Sequence, residues 1–130
     1  MDKDYRKWHV IKKEINELDS AHLYFNEREI WWCHLGANVG MEQDGKGPTF
    51  VRPVLIFKKF TRRLCWVVPL STKVLKGNYF FPLLSETNII RTATLPQMKM
   101  IDVRRLRNKF DIISIQEHFH IKKALITFMR

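Results

Sequence analysis

The sequence is poor in the groups from which many hydrolytic and metal sites are built. Only two cysteines occur in 130 residues, too few for a disulfide framework in a chain this long. Cys33 and Cys65 both stand in apolar, strand-like runs, which points to free, buried thiols. The five histidines show no zinc-ligand spacing, and His118 and His120 fall on opposite sides of a helical segment. No metal and no cofactor are expected. The phosphate-cradling GxxxxGK loop and the nucleophile elbow are both missing. No apolar run approaches the length that crosses a bilayer, and the opening MDKDYRKWHV is charged from its second residue and lacks a signal core. A cytoplasmic protein is expected.

Acid is the scarcer charge, 13 Asp and Glu against 23 Lys and Arg, for a formal net charge of +10. Residues 1–28 carry six of each sign and cancel, whereas residues 29–130 carry 17 basic and seven acidic residues. The excess therefore sits on the later part of the chain, where it favours polyanions through counterion release. Glycine is scarce as well, five residues in all, yet Gly36, Gly40, Gly45 and Gly47 fall together. They sit in the run GANVGMEQDGKGPTFVRPVLIF, between an apolar strand (Ile30, Trp31, Trp32, Cys33, Leu35) and a second strand leaving at Arg52–Pro53. That stretch is too rich in glycine for core and too charged for a hinge.

A length of 130 residues and 45% hydrophobic content suit one compact domain with one core. Strands are expected at about 29–35, 53–60, 64–70, 78–83, 88–95, 97–101 and 109–113, with Thr61–Arg62–Arg63 as a tight turn. Short strands separated by turn signals read as a small barrel or sandwich, and the fold class is mainly β with added α. Over residues 4–18, Trp8, Ile11, Ile15 and Leu18 recur at helical spacing with charge opposite, so an amphipathic helix forms an N-terminal extension (1–28) joined through residues 19–28. Its plain reading is a strut covering a barrel face; a regulatory or partner-binding helix is the other. Ser114 to Glu117 is a capping-box pattern that starts a closing helix through Phe119, Ala124, Leu125 and Phe128.

Cleavage of RNA without a metal needs three things: a proton removed from the 2′-hydroxyl, charge stabilised on the phosphorane, and a proton given to the leaving 5′-oxygen. An arginine, a carboxylate and a hydroxyl at strand ends cover these roles. Arg52 offers a rigid fork matched to phosphate oxygens on a strand stiffened by Pro53. Ser71 or Thr72 can hydrogen-bond a non-bridging oxygen, and Glu42 can serve as base or orient Arg52. Lys46, Lys73, Lys76 and Lys99 can track a phosphate backbone, while Asn38 and Gln97 can read the edges of splayed bases. Each has a plainer role: surface arginine, turn hydroxyl, solvated acid, solubilising lysine. His34 precedes the loop, but a histidine nuclease would want a second histidine, and none is evident.

The residues Trp32, Gly36, Asn38, Gly40, Glu42, Lys46, Arg52–Pro53 and Pro69–Leu70–Ser71 resemble, in order and spacing, the MazF/PemK/Kid toxins of toxin–antitoxin systems. A second similar segment runs Leu95–Pro96–Gln97–Met98–Lys99–Met100–Ile101–Asp102 and on into Arg104–Arg105–Leu106, and the match spans roughly residues 29–126. The resemblance implies a small SH3-like barrel of the CcdB/MazF type over 29–130 and places the catalytic hydroxyl at Ser71. It also implies a homodimer with the RNA groove near its interface. The activity it implies is metal-independent, sequence-selective endonucleolytic cleavage of single-stranded RNA, messenger RNA above all, to 2′,3′-cyclic phosphate and 5′-hydroxyl ends. The expected partner is an antitoxin whose acidic, partly disordered segment covers the basic groove. One position departs from the pattern: Pro96 stands where many relatives carry an acid before the glutamine, so base specificity does not transfer. The same barrel also supports gyrase poisons, which hold a protein and cut nothing, and a degenerate barrel that binds RNA without cleaving is a third reading. Arg52, Glu42 and Ser71 together favour the enzyme, since a gyrase poison has no use for them.

Overall fold

The computed structural model of the chain describes residues 3–18, 23–40, 42–73 and 75–130. The apolar runs become seven antiparallel strands: β1 (Glu29–His34), β2 (Val51–Lys59), β3 (Leu64–Ser71), β4 (Phe80–Leu84), β5 (Ile90–Thr94), β6 (Lys99–Asp102) and β7 (Leu106–Ile112). Their order is β4-β5-β3-β2-β1-β7, with β6 added beside β3. β3 is the pivot, because its Leu64–Val67 half pairs with β6 while Leu70 and Ser71 pair with β5. The sheet thus splits and curls into the expected small barrel. The barrel does not close as a ladder: among the described residues its two end strands meet in an isolated bridge, Ser85 to Ile113.

Strands β1 to β3 read as near-continuous apolar runs because both their faces are covered. Alternate residues Trp31, Cys33, Val54, Ile56, Cys65 and Val67 point into one core with Ile101, Val103 and Leu106. Their neighbours Ile30, Leu55, Phe57, Val68 and Leu70 join a second core, roofed by Ile121 and Leu125 of the closing helix α2 (Ile115–Phe128). Ser114 caps α2 by accepting from Glu117 N at 3.1 Å, an interaction worth about 1 kcal/mol. Thr61 Oγ1 accepts from the backbone N–H groups of Arg63 (3.0 Å) and Leu64 (3.1 Å), which closes the β2–β3 turn. Both cysteines are free and buried, and burial pushes each thiol up to about 12.

The N-terminal helix α1 spans Tyr5–Asn16, capped by Asp4. Trp8 and Ile15 are buried and Ile11 half-buried, but Leu18 lies beyond the helix end and is 54% exposed. Of its connection at 19–28, residues 19–22 lie outside the described residues, and Phe25 is buried in the first core. β7 starts three residues earlier than the sequence pattern indicates. Asp102 caps a single 3-10 turn, Val103–Arg105, by accepting from Arg104 N, and the chain extends directly after it.

One charge pair is sunk into the sheet. Arg91 on β5 meets Asp111 on β7 at 2.9 Å, with both side chains nearly dry, and Thr87 Oγ1 donates to the same carboxylate at 2.6 Å. Burial alone would raise the Asp111 pKa, but the hydrogen bonds from Thr87, Arg91 and Ser85 overcome it and hold the carboxyl well below its ordinary value. A folded-state pKa below the unfolded one contributes stability that is complete above about pH 4 and lost as pH falls from there. Asp111→Asn is expected to cost about 3–5 kcal/mol at neutral pH by leaving Arg91 buried and unpaired. In urea denaturation the wild-type advantage should shrink below about pH 4.

Candidate active site

The run between β1 and β2 folds into a tight double turn. Gly36 N donates to Phe50 O and Gly45 N to Gly36 O, and Lys46 and Val51 exchange two backbone hydrogen bonds at 2.7 and 2.9 Å. Asn38 ties the loop from inside: its amide nitrogen donates to Leu35 O (3.0 Å) and Gln43 O (2.8 Å), and its backbone N–H donates to Asp44 Oδ1 at 2.6 Å. Both side-chain N–H groups of Asn38 are thereby spent, so of its side-chain atoms only Oδ1 could meet a ligand.

Arg52, the second residue of β2, shares a strand face with Val54 and Ile56 and is only 9% exposed. Its Nε donates to Asp44 O at 2.8 Å, and Nη1 lies 3.5 Å from Leu70 O. The Gln43 amide completes the cradle with its carbonyl turned to the guanidinium, accepting from Nη2 at 2.8 Å and Nε at 3.0 Å. That orientation is required, since a guanidinium has only donors to offer. Burial lowers the Arg52 pKa and the Asp44 carboxylate opposes the shift. Among the described residues no carboxylate forms an ion pair with Arg52; the Asp44 carboxylate is bound to Lys3 at 2.9 Å.

Beside Arg52 opens a cavity of about 370 Å³ lined by Trp32, Lys46, Pro53, Ser71, Thr72 and Lys73, among others. The structure thus brings together Arg52, Ser71, Thr72, Lys46 and Lys73. Ser71 Oγ accepts from Lys73 N at 3.2 Å and so also holds its turn. Trp32 stacks on Phe110, with ring centroids 4.8 Å apart. Asn38, Glu42, Gln97 and Lys99 line a second cavity of about 200 Å³ with Gln43, Pro96 and Met98. Gln43 stands between the two, because its backbone N–H donates to Gln97 Oε1 at 3.1 Å while its side chain holds Arg52. Glu42 does not touch Arg52; its carboxylate accepts from Val39 N at 2.8 Å. Lys76 is exposed and lines neither cavity. His34 is engaged with Thr49 O at 2.7 Å.

Orientation of Arg52 thus falls to Gln43 and the Asp44 carbonyl, neither of which carried a signal in the sequence beyond adjacency to Glu42. The larger omission is α1. Lys3 Nζ reaches Asn38 O (2.6 Å), Gly40 O (3.1 Å) and the Asp44 carboxylate, and Tyr5 OH donates to Asn38 O at 3.0 Å. Trp8 lies over Gly36 so closely that a Cβ there would overlap the indole, and the +83° φ at Gly36 is itself unfavourable for any other residue. The same ring packs on Phe50 at 5.6 Å, where a φ of +55° on a side-chain-bearing residue costs about 1–2 kcal/mol. The extension therefore braces the loop that positions the arginine. Trp8→Ala should raise amide exchange and protease cleavage within residues 36–50, and Gly36→Ala should do the same. Trp8→Phe should restore most of the protection. Unchanged exchange in Trp8→Ala would mean that the loop holds itself.

The sequence over residues 26–129 matches the family described as PemK-like, MazF-like toxin of type II toxin–antitoxin systems. The matched span begins just before β1 and leaves α1 outside. No curated protein sequence matches the chain significantly. Among solved structures it resembles MazF (Form-I) from Deinococcus radiodurans, with a TM-score of 0.66 and 13% identity over 82% of this chain and 97% of that one. It also resembles an endoribonuclease in complex with its cognate antitoxin from a mycobacterial species (0.60, 13%, 82% and 95%) and the Mycobacterium tuberculosis toxin MazF-mt6 (0.57, 17%, 77% and 94%). At these identities the likeness establishes the fold. The family match, over most of the chain and including the loop, Arg52 and Ser71, establishes more: the chain belongs to the PemK-like, MazF-like toxins of type II toxin–antitoxin systems.

Proposed function

We propose that the chain is the toxin of a toxin–antitoxin pair and acts as a metal-independent, sequence-selective endoribonuclease on single-stranded RNA, messenger RNA above all. The observation that carries this reading is Arg52. A buried guanidinium held by neutral oxygens, beside a cavity that also contains Ser71, Lys46 and Lys73, keeps its positive charge for an incoming phosphate. The structural relatives described as an endoribonuclease with its antitoxin and as MazF toxins agree with it.

In the proposed reaction the 2′-oxygen attacks the adjacent phosphorus as its proton leaves. The P–O5′ bond breaks, the 5′-oxygen takes a proton from solvent water, and the products are a 2′,3′-cyclic phosphate and a 5′-hydroxyl. Arg52 donates to the non-bridging oxygens as charge builds on the phosphorane, and Ser71 Oγ adds a further hydrogen bond. Glu42 is assigned the proton-accepting role because, among the described residues, it is the one carboxylate that lines either cavity; to reach the Arg52 side it would have to release Val39 N–H. Asn38, Gln97 and Lys99 face the bases and phosphates beside the scissile bond, and Thr72 and Lys73 face the other side; Lys76 acts at longer range. An acidic antitoxin segment is the natural inhibitor of such a surface, in a cytoplasmic setting. The gyrase-poison alternative, which by the family resemblance would work through C-terminal aromatic residues, finds less support, since Phe128, the one aromatic near the C-terminal end, is occupied edge-on by Tyr79 at 5.4 Å.

The decisive test incubates purified protein with a long single-stranded RNA in EDTA and maps the ends. Cleavage leaving cyclic phosphates is expected, and a requirement for divalent metal would overturn the mechanism. On a mapped site, Arg52→Ala should lower the single-turnover rate by about 10²–10³-fold with only a modest loss of affinity. Glu42→Gln should lower it by about 10²-fold or more, and Ser71→Ala should fall less than Arg52→Ala, because water can replace a hydroxyl better than a guanidinium. Lys46→Ala should instead weaken binding across sequences and reduce the salt slope by about 0.7, with saturated cleavage unchanged. Arg52→Ala cutting bound RNA at the wild-type rate would make Arg52 a binding residue only. Light scattering should give a homodimer at micromolar concentration; a monomer that cleaves normally would remove the proposed interface groove.

A further inference from the structure

The extension lines a third cavity, basic like the one beside Arg52. Between α1 and the Asp102–Arg105 turn lies a cleft of about 400 Å³ with Trp8 and Ile15 at its floor and Lys12, Lys13, Arg104 and Arg105 around it. Arg104 is neutralised by Asp102 at 2.9 Å and anchored on Asn16 O at 2.8 Å. Lys12, Lys13 and Arg105 have no carboxylate partner among the described residues. Arg105 is a placed cation: its guanidinium lies 5.6 Å from the Trp8 ring centroid and donates to His34 O at 3.2 Å. Lys99 adds to the cluster from the second cavity. Burial lowers its pKa first, Arg105 and Lys12 lower it further, and Cys33 and Glu42 work against them.

Like charges gathered around an apolar floor repel one another, and of the three without a carboxylate partner it is Arg105 that is tied to the fold, through Trp8 and His34 O. They suit an anion. Their position also matters, because the cluster continues the site already described. From Lys73 and Lys46 the line of groups passes Arg52 to Gln43, then Gln97 and Lys99, then Arg105, and ends on Lys12 and Lys13. Among the described residues no carboxylate other than Glu42 lines the first two cavities, and the Asp102 of the third is spent on Arg104.

We propose that α1 and the Asp102–Arg105 turn form an added phosphate-binding subsite, in which Lys12, Lys13 and Arg105 take backbone phosphates of the RNA strand several nucleotides to one side of the scissile bond. The inference rests on the reading of the chain as an RNA-cleaving toxin. It gives this toxin a longer footprint than residues 26–129 alone provide, since α1 lies outside that span. Contacts to phosphates add affinity and fix register without adding sequence preference.

The test uses a set of RNAs that share one mapped cleavage site and grow one nucleotide at a time, first on the 5′ side and then on the 3′ side. A 2′-deoxy nucleotide at the scissile position makes matched uncleavable versions for binding. Wild-type affinity should tighten in a step once the strand on one side reaches the cleft. Lys12→Ala/Lys13→Ala should lose that step and reduce the salt slope for long RNA by about 1.4, while binding and cutting the shortest RNA as wild type does. Unchanged circular dichroism and melting confirm that α1 still docks, and Lys12→Arg/Lys13→Arg should keep the step. A wild-type protein with no step on either side, or a double variant that retains it, overturns the subsite. So does a variant that loses affinity for the acidic antitoxin but none for long RNA, because the cleft is then a protein-docking surface. A chain that cuts no RNA overturns the nuclease reading separately, and the cleft is then decided by binding of single-stranded RNAs of increasing length, which should tighten in a step for the wild type and not for Lys12→Ala/Lys13→Ala.

Discussion

The site depends on one constraint, that an arginine nearly removed from water is held by oxygens that carry no net charge. A carboxylate against Arg52 would have been the easier way to bury it, since burying an unpaired charge is costly. The carbonyl of Asp44, the amide of Gln43 and the more distant Leu70 carbonyl satisfy its N–H groups while leaving its charge uncancelled. Such an arginine is fixed in direction and still able to stabilise an anion that arrives or develops beside it.

That cradle cannot stand alone, because two of its three acceptors belong to a loop with little core of its own. Asn38 knots the loop internally, and the N-terminal segment holds it from outside through Lys3, just before α1, and Tyr5 and Trp8 of α1. The carboxylate of Asp44 illustrates the division of labour. Its oxygens go to Lys3 and to the Asn38 N–H, so the residue braces the loop with its charge and presents only its backbone carbonyl to Arg52. A segment outside the family-matched span has thus become part of what shapes the candidate active site.

The seven strands and two helices were legible in the sequence because each leaves a local trace: apolar runs bounded by turns, a capping serine before Glu117, and Trp8, Ile11 and Ile15 at helical spacing. The two short 3-10 turns left none, and one of them shifts the start of β7. Arg52, Ser71, Lys46 and Lys73 could be assigned to one site because strand ends and the family pattern converge there. Gln43 could not, as an amide beside Glu42 looks like any other polar loop residue until the strands set its distance to Arg52. Glu42 shows the reverse problem. Its chemistry marks it in the sequence, yet the turn it caps directs it toward Gln97 and Lys99 rather than Arg52. For α1 the helix was readable and its purpose was not, because contacts between residues 3–8 and 36–50 exist only in the folded chain.

The same barrel contains a second buried arginine, and the contrast explains why burial alone does not mark function. Arg91 is as dry as Arg52, but Asp111 meets it at 2.9 Å and Phe110 lies under its guanidinium at 5.1 Å. The pair is neutral as a unit and joins β5 to β7 across the sheet, next to the bridge that links the two end strands. Nothing remains there for a ligand. Arg52 has similar burial and a cavity in front of it but, among the described residues, no ion pair; the Asp44 carboxylate only partly opposes the cost of its burial. Of the two buried arginines, the one that the structure leaves without an ion pair among the described residues is the one on which the proposed function rests.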